Sequence, residues 1–333
     1  MNTPSGTEKQ NRPARIAVVI PCFKVKQHIL SVIHRIGFEV SRIYVVDDAC
    51  PEHTGDHVLQ SGTDPRVVVI HHPINLGVGG AVISGYMRAL ADGFDIVVKI
   101  DGDGQMDPRL VRSFVDPIIR GEADYTKGNR FFRLEGLQQM PIIRLLGNSA
   151  LSFVNKLTSG YWQIMDPTNG YTAIHTSIVN LLPLEKVEKR YFFESDMLFR
   201  LGTIRAKIED IPMNAHYADE KSNLSIRKVL VDFPPKYLQR IFKRFFYNYI
   251  LRDFNVGTVE FLLGGLLSVG GLAYGLYYWS RAAIDGTSTP SGTVMLAALP
   301  IIIGMQLLTS AIGFDIQNIP RHPLHPKLPR SVE

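Results

Sequence analysis

The sequence predicts an α/β domain, a mostly parallel sheet with helices on both faces, followed by amphipathic helices and a two-helix membrane hairpin. From residue 15 to about 130, short apolar runs alternate with amphipathic stretches at the spacing of βαβ units. Later, Phe261 to Trp279 and Thr293 to Phe314 are uncharged and mostly apolar, each near the roughly 20 residues that a helix needs to cross a bilayer core. Apolar residues are 45% of the 333 and charged residues 20%, which supplies a core and argues against global disorder.

The first fifteen residues are polar and lack an apolar segment, so no cleaved signal peptide is expected, and 1–14 reads as a flexible cytosolic tail. The domain at 15–225 offers strands at Arg15–Ile20, Arg42–Val46, Val67–His71, Ile96–Ile100 and Asp124–Lys127. Helices are expected between them at Lys26–Ile36, Gly79–Ala91 and Pro108–Ile119. Cys22 and Cys50 are the two cysteines. Each follows a strand and reads as an unpaired thiol in a reducing compartment.

The C-terminal stretches carry Gly264, Gly265, Gly270, Gly271 and Pro300, which weaken helices in water but are tolerated in membranes, where small residues let helices approach. Tyr277, Tyr278 and Trp279 suit an interfacial belt. The spans, about 257–279 and 293–314 within 255–316, form a hairpin through the short connection Ser280 to Gly292. Arg227, Lys228, Lys236, Arg240, Lys243, Arg244 and Arg252 precede the hairpin, and Arg321, Lys327 and Arg330 follow it, with only Arg281 between. The positive-inside rule then puts the N-terminal domain, the tail at 317–333 and both termini in the cytoplasm of an inner or ER-type membrane. In 226–254, Phe and Tyr interleave with basic residues, the pattern of interfacial helices. The net charge of +5 thus falls against an anionic leaflet and predicts no nucleic acid. The small-residue faces permit a homo-oligomer.

In parallel sheets ligands gather at the carboxyl ends of strands, and here those ends are polar and small. The first leads into Pro21-Cys22-Phe23-Lys24 and the second into Asp47-Asp48. The third leads into Asn75-Leu76-Gly77-Val78-Gly79-Gly80, a helix start whose glycines would let a ligand come close. It follows the third strand rather than the first, unlike the dinucleotide fingerprint of a dehydrogenase. The fourth leads into Asp101-Gly102-Asp103-Gly104-Gln105-Met106-Asp107-Pro108. Carboxylates crowded after an apolar strand repel one another without a cation, and hard oxygens suit Mg²⁺ or Mn²⁺. Asp107 is better explained as the N-cap of the helix starting at Pro108.

At these residues the sequence resembles the family 2 glycosyltransferases of GT-A fold, especially the dolichyl- and polyprenyl-phosphate sugar synthases. The matching segments, in order, are IAVVIPCFK, IYVVDDACPEHTGD, NLGVGGAVISGY, VVKIDGDGQMDP, KGNRF, DPTNGYTAI and YFFESDMLFR. The resemblance implies that Pro21 and Phe23, with Asp48, Asn75, Gly77, Gly79 and Gly102, bind the nucleotide-sugar. It implies that Asp101 and Asp103 hold a divalent metal and the donor diphosphate, with Gln105 as a further metal ligand. Arg130 would meet phosphate, and Asp166, Asn169 and Gly170 would line the acceptor side. Glu194 and Asp196 fall where related enzymes place acidic active-site residues. The family's lipid-phosphate members often carry R-x-x-G-x-S-K after the last strand. His216-Tyr217-Ala218-Asp219-Glu220-Lys221-Ser222 lacks that arginine and glycine, leaving Lys221, with Ser222, as the phosphate contact.

The reaction implied is sugar transfer from a UDP- or GDP-linked donor to an undecaprenyl or dolichyl phosphate, with Mg²⁺ or Mn²⁺ offsetting charge on the departing diphosphate. A phosphate acceptor is already anionic at neutral pH and needs no dedicated base. A sugar hydroxyl would need one, and Asp196 or Glu194 would be the candidate.

Overall fold

A computed structural model describes residues 13–62, 64–132, 142–214 and 226–328. The chain divides into two units, Met1–Leu238 with Pro320–Glu333, and Gln239–Ile319.

The first unit is built on a seven-stranded sheet: β1 (Ile16–Cys22), β2 (Val40–Asp47), β3 (Val67–His71), β4 (Ile96–Lys99), β5 (Tyr125–Asn129), β6 (Thr172–His175) and β7 (Ile208–Pro212), in the order β3-β2-β1-β4-β6-β5-β7. β1 is central and apolar throughout because both of its faces are covered. Ala17 and Val19 enter one core with Tyr44, Val46, Ala81 and Tyr86. Ile16, Val18 and Ile20 enter the other with Ile29, Val32 and Phe114. This is the two-residue alternation of a strand.

The helices α1 (Ile29–His34), α3 (Val78–Ala91) and α4 (Val111–Ile119, after a 3₁₀ turn at Pro108–Leu110) lie where the sequence places them, and α2 (Thr54–Ser61) is a further helix between β2 and β3. Asp107 caps that turn, accepting from Arg109 N at 3.1 Å. β1 pairs in parallel with both β2 and β4, so the chain winds outward to β3 and then returns to the opposite side of β1. That reversal opens a crevice between the carboxyl ends of β1 and β4.

The sheet departs from simple alternation beyond β4. β6 inserts antiparallel between β4 and β5, so the Asp124–Lys127 strand is not the neighbour of Ile96–Ile100. β7 then pairs in parallel with β5. The helices in this half are α5 (Ile142–Ser159), the short α6 (Thr176–Val179), α7 (Phe193–Ile204) and α8 (Ile226–Phe245). Tyr237 fastens α8, because its hydroxyl is 2.8 Å from Asn155 Nδ2 on α5 and 2.9 Å from Ser195 Oγ on α7.

The C-terminal segment is also fastened to this unit. Leu324 and Leu328 pack against the core that holds Tyr44 and Tyr86. The fully buried Asp124 accepts from the backbone N–H of Leu324 and of His325, and it meets His325 Nδ1 at 2.9 Å.

In the second unit, α8 gives way to a π-helical turn at Phe246–Leu251, followed by α9 (Val256–Asp285) and α10 (Ser291–Gln317). An Asn255–Thr258 capping box starts α9. At 30 and 27 residues both helices are long and apolar enough to cross a membrane, and most of their surface is exposed. α9 runs past Trp279 through Arg281 to Asp285, so the connection is shorter than the sequence suggests.

The helices meet through one row of small residues. A Cβ on Gly264 would lie 2.9 Å from Gly304 O, and one on Gly271 would lie 2.8 Å from Ala297 O. Gly265 and Gly270 face open space, so only part of the glycine-rich surface is used within the hairpin.

Candidate functional site

The loops after β2 and β3 are shaped by two aspartates. Asp47 accepts from Cys50 N at 2.7 Å and Gly55 N at 2.6 Å. Asp48, 3% exposed, accepts from Leu76 N at 2.8 Å and Gly77 N at 2.7 Å, and lies 2.8 Å from His72 Nδ1. Asn75 donates to Asp48 O. The Asp48 carboxylate is thus engaged in shaping the Asn75–Gly80 loop, with Pro21 half-buried and Phe23 43% exposed at the neighbouring strand end.

The glycines of that loop admit the chain itself. Gly77 has φ +88°, a conformation that favours glycine, and a Cβ there would sit 2.5 Å from Lys189 O. A Cβ on Gly79 would sit 2.5 Å from Glu188 O, and Gly79 N donates to Lys189 O at 2.8 Å. The close approach read from the sequence is made by segment 188–190.

At the end of β4 the side chain of Lys99 is 1% exposed, with Nζ 2.8 Å from Asp101 Oδ1 and 3.3 Å from Glu194 Oε1. Burial works against its charge, but Asp101 and Glu194 more than offset that and hold its pKa above the ordinary lysine value. Gly170 makes room for this pair, because a Cβ there would strike Lys99 Nζ and lie 2.5 Å from Asp101 Oδ2. Gly102 is buried where a Cβ would press Val25 and Ile20.

Asp101 and Asp103 are half-buried, and Asp103 Oδ1 accepts from Gln105 N at 3.0 Å. Among the described residues no three His, Cys, Asp or Glu side chains converge on a metal position. Two accessible carboxylates nevertheless suit a Mg²⁺-type ion, which takes one or two carboxylates and completes its shell with water and substrate phosphate.

On the other side of the site, Arg130 follows β5 and grips Asp166 at two points, Nε to Oδ2 at 2.6 Å and Nη2 to Oδ1 at 3.0 Å. Asn169 joins the same carboxylate, donating from Nδ2 at 3.3 Å. The segment 166–170 therefore spans the site, with Asp166 holding Arg130 at one end and Gly170 packed on Lys99 and Asp101 at the other.

Beneath it, Lys127 is fully buried and donates to Asn169 O at 2.5 Å. Burial pulls its pKa down to about 8, against the upward pull of Glu194 and Asp166. Asp210 on β7 accepts from Met165 N and Asn129 Nδ2, while its Oδ1 is buried with no hydrogen-bond partner. Burial lifts its pKa to about 6.

Glu194 and Asp196 differ in role. Glu194 reaches Lys99, which brings α7 to the Asp101 end of the site. Asp196 is fully buried and engages Arg200 Nε and Glu188 N, each at 2.9 Å, which holds the 186–188 segment to α7. Lys221 and Ser222 lie outside the described residues. Sequence reasoning missed Lys99, Lys127 and Asp210. The readable signal was a lone lysine inside each of two buried strands, IVVK and YTKGN.

Residues 17–182 match the model of the glycosyl transferase family 2. The chain is 28% identical over 218 residues to a UDP-N-acetylglucosamine–dolichyl-phosphate N-acetylglucosaminyltransferase of Methanococcus voltae, covering 61% of this chain and 86% of the relative. It is 29% identical over 203 residues to an undecaprenyl-phosphate mannosyltransferase of Micrococcus luteus, covering 60% and 82%. Its fold is similar to that of glucosyl-3-phosphoglycerate synthase from Mycobacterium tuberculosis, solved with UDP, with a TM-score of 0.53 at 20% identity over 73% of this chain and 86% of that one. The sheet is of the GT-A type, and the chain is a glycosyltransferase whose residues 17–182 are a family 2 domain.

Proposed function

We propose that this enzyme transfers a sugar from a UDP- or GDP-linked donor to a polyprenyl phosphate at the cytoplasmic face of a membrane. The observation that carries the reading is the fixed, partly exposed Arg130 guanidinium, joined through segment 166–170 to the Lys99–Asp101 pair. Such an arrangement supports a site for two phosphate-bearing substrates at once. The relatives named as dolichyl- and undecaprenyl-phosphate transferases support the same acceptor class.

In this reading Asp101 and Asp103, with Gln105, hold Mg²⁺ or Mn²⁺, which when bound supplies positive charge for the departing diphosphate. Arg130, held by Asp166 and 29% exposed, orients the acceptor phosphate. A phosphate oxygen attacks the anomeric carbon, the bond to the donor's β-phosphate oxygen breaks, and the nucleoside diphosphate leaves with the electron pair. The acceptor's second pKa is about 6, so no side chain need remove a proton. The sugar inverts in this single displacement.

The second unit supports an origin for the acceptor in the bilayer. The apolar α9–α10 surface suits membrane spans. Ahead of it Phe242, Phe246, Leu251 and Phe254 are exposed among Lys243 and Arg252, a pattern that suits the headgroup boundary. A panel of UDP- and GDP-sugars with Mg²⁺ or Mn²⁺, offered with undecaprenyl or dolichyl phosphate, tests the reading. Label must enter a lipid-linked sugar phosphate with at least one donor, and label entering only hydroxyl acceptors refutes the phosphate acceptor.

A further inference from the structure

Lys99 is an unusual residue for its place. It ends a fully buried strand, the two residues before it are valines, and an ammonium is costly to bury unless paired. Here it is paired twice, with a carboxylate from its own strand end and with one from α7. Gly170 keeps the space around it clear. One of its partners, Asp101, is also a carboxylate to which the proposed function assigns a divalent cation.

We propose that Lys99 is a built-in counter-ion that sets how tightly the Asp101–Asp103 pair takes a divalent metal, with Glu194 acting from α7 to moderate it. The inference rests on the metal-assisted reading given above. Its physical content is a competition for one carboxylate. Lys99 holds Asp101 through Oδ1, orienting the side chain, and its positive charge makes the position less attractive to a second cation. Glu194 draws part of that charge away and adds a negative charge of its own.

The consequence is a metal site that is weak in the free enzyme and becomes strong when a diphosphate brings further oxygens and negative charge. Metal and donor would then bind as a unit and leave as a unit. Lys99 is a positioning residue in this scheme. It acts through Asp101 and is given no contact with the sugar.

The electrostatics give opposite signs for two substitutions, which separates this role from a structural one. Lys99→Met removes a positive charge and frees Asp101, so Mn²⁺ should bind more tightly. Glu194→Gln removes a negative charge and leaves Lys99 wholly to Asp101, so Mn²⁺ should bind more weakly. The double variant should return toward the wild-type value. Unit charges a few ångström from a divalent ion justify shifts of about fivefold or more in each direction.

The test is a Mn²⁺ titration of the full chain in detergent, reading free Mn²⁺ by its electron paramagnetic resonance signal, alone and with saturating UDP or GDP. Shifts of opposite sign, with partial restoration in the double variant, support the inference. Shifts of the same sign, a change below twofold in Glu194→Gln, or a double variant that stays as weak as Glu194→Gln, overturn it while leaving the metal-assisted reading standing. If Lys99→Met fails to fold, the near-isosteric Glu194→Gln and the double variant, which removes both charges together, still decide the outcome. A wild-type chain that binds no Mn²⁺ with either nucleotide overturns both the inference and the metal part of the proposed function.

Discussion

Arg130 Nε lies 2.6 Å from Asp166 Oδ2, an ion pair whose carboxylate is fully buried while the arginine side chain is 29% exposed. The buried partner fixes the plane of the exposed guanidinium, and that plane is what a phosphate would read. Arg130→Lys keeps the charge but loses the planar fork. It should raise the KM for polyprenyl phosphate about tenfold, equivalent to ~1.4 kcal/mol. Nucleotide affinity should change little, and steady-state kinetics with each substrate varied separately will check the split.

Asp210 offers a pH signature in stability. Its folded pKa is about 6, raised by burial from the model-peptide value of 3.8. The proton is therefore held more tightly in the native state. The associated stability is present in acid and is lost as pH rises through about 6. Asp210→Asn removes that dependence. The variant's melting temperature relative to wild type should rise between pH 4 and 7, by an amount on the order of 2 kcal/mol in stability. Scanning both proteins across that range in one detergent measures it.

The C-terminal strap should stabilise the α/β unit although it lies more than 100 residues beyond the last strand in sequence. Burial alone would raise the Asp124 pKa, but the His325 side chain and the backbone N–H groups of His325, Leu324 and Lys207 hold it below the ordinary carboxylate value. Removing 320–333 leaves that buried charge with Lys207 N as its remaining donor among these groups, at a cost on the order of 3 kcal/mol. Asp124→Asn in the shortened chain should recover part of the loss. The effect should fade below about pH 4, where the unfolded chain also takes up the proton.

Within the hairpin, neighbouring glycines should respond oppositely. Gly264→Leu meets Gly304 O and should separate α9 from α10, whereas Gly265→Leu meets nothing. Cysteine cross-linking between the helices, or resistance to unfolding in detergent, should be lost in the first variant and kept in the second.

Much of this was legible in the sequence, and the reasons are physical. β1 and β4 are buried on both faces, so their apolar runs showed, and the polar strand ends marked out the candidate site. The two long apolar helices α9 and α10 showed because length and apolarity, the two properties that a bilayer would demand, are read directly from residues. β6 did not show. Thr172–His175 is four residues long, carries a threonine and a histidine, and owes its place to antiparallel pairing with β4 and β5.

The same limit applies within the site. Spacing suggested that Gly77 and Gly79 admit a ligand, yet the contact is with the carbonyls of residues 188 and 189, over 100 positions away. Lys99 and Glu194 are 95 residues apart, and no local pattern announces a pair of that kind. The Asp124–His325 contact spans 201 residues.

The central claim is that a lipid phosphate, and not a hydroxyl, receives the sugar. The most direct measurement offers the full-length enzyme in bilayer vesicles a labelled nucleotide-sugar, with either a polyprenyl phosphate or the corresponding dephosphorylated polyprenol. The account predicts label in the phosphate-bearing lipid alone, as a product whose sugar is released by mild acid. Label in the polyprenol, or transfer that ignores the phosphate, would contradict it.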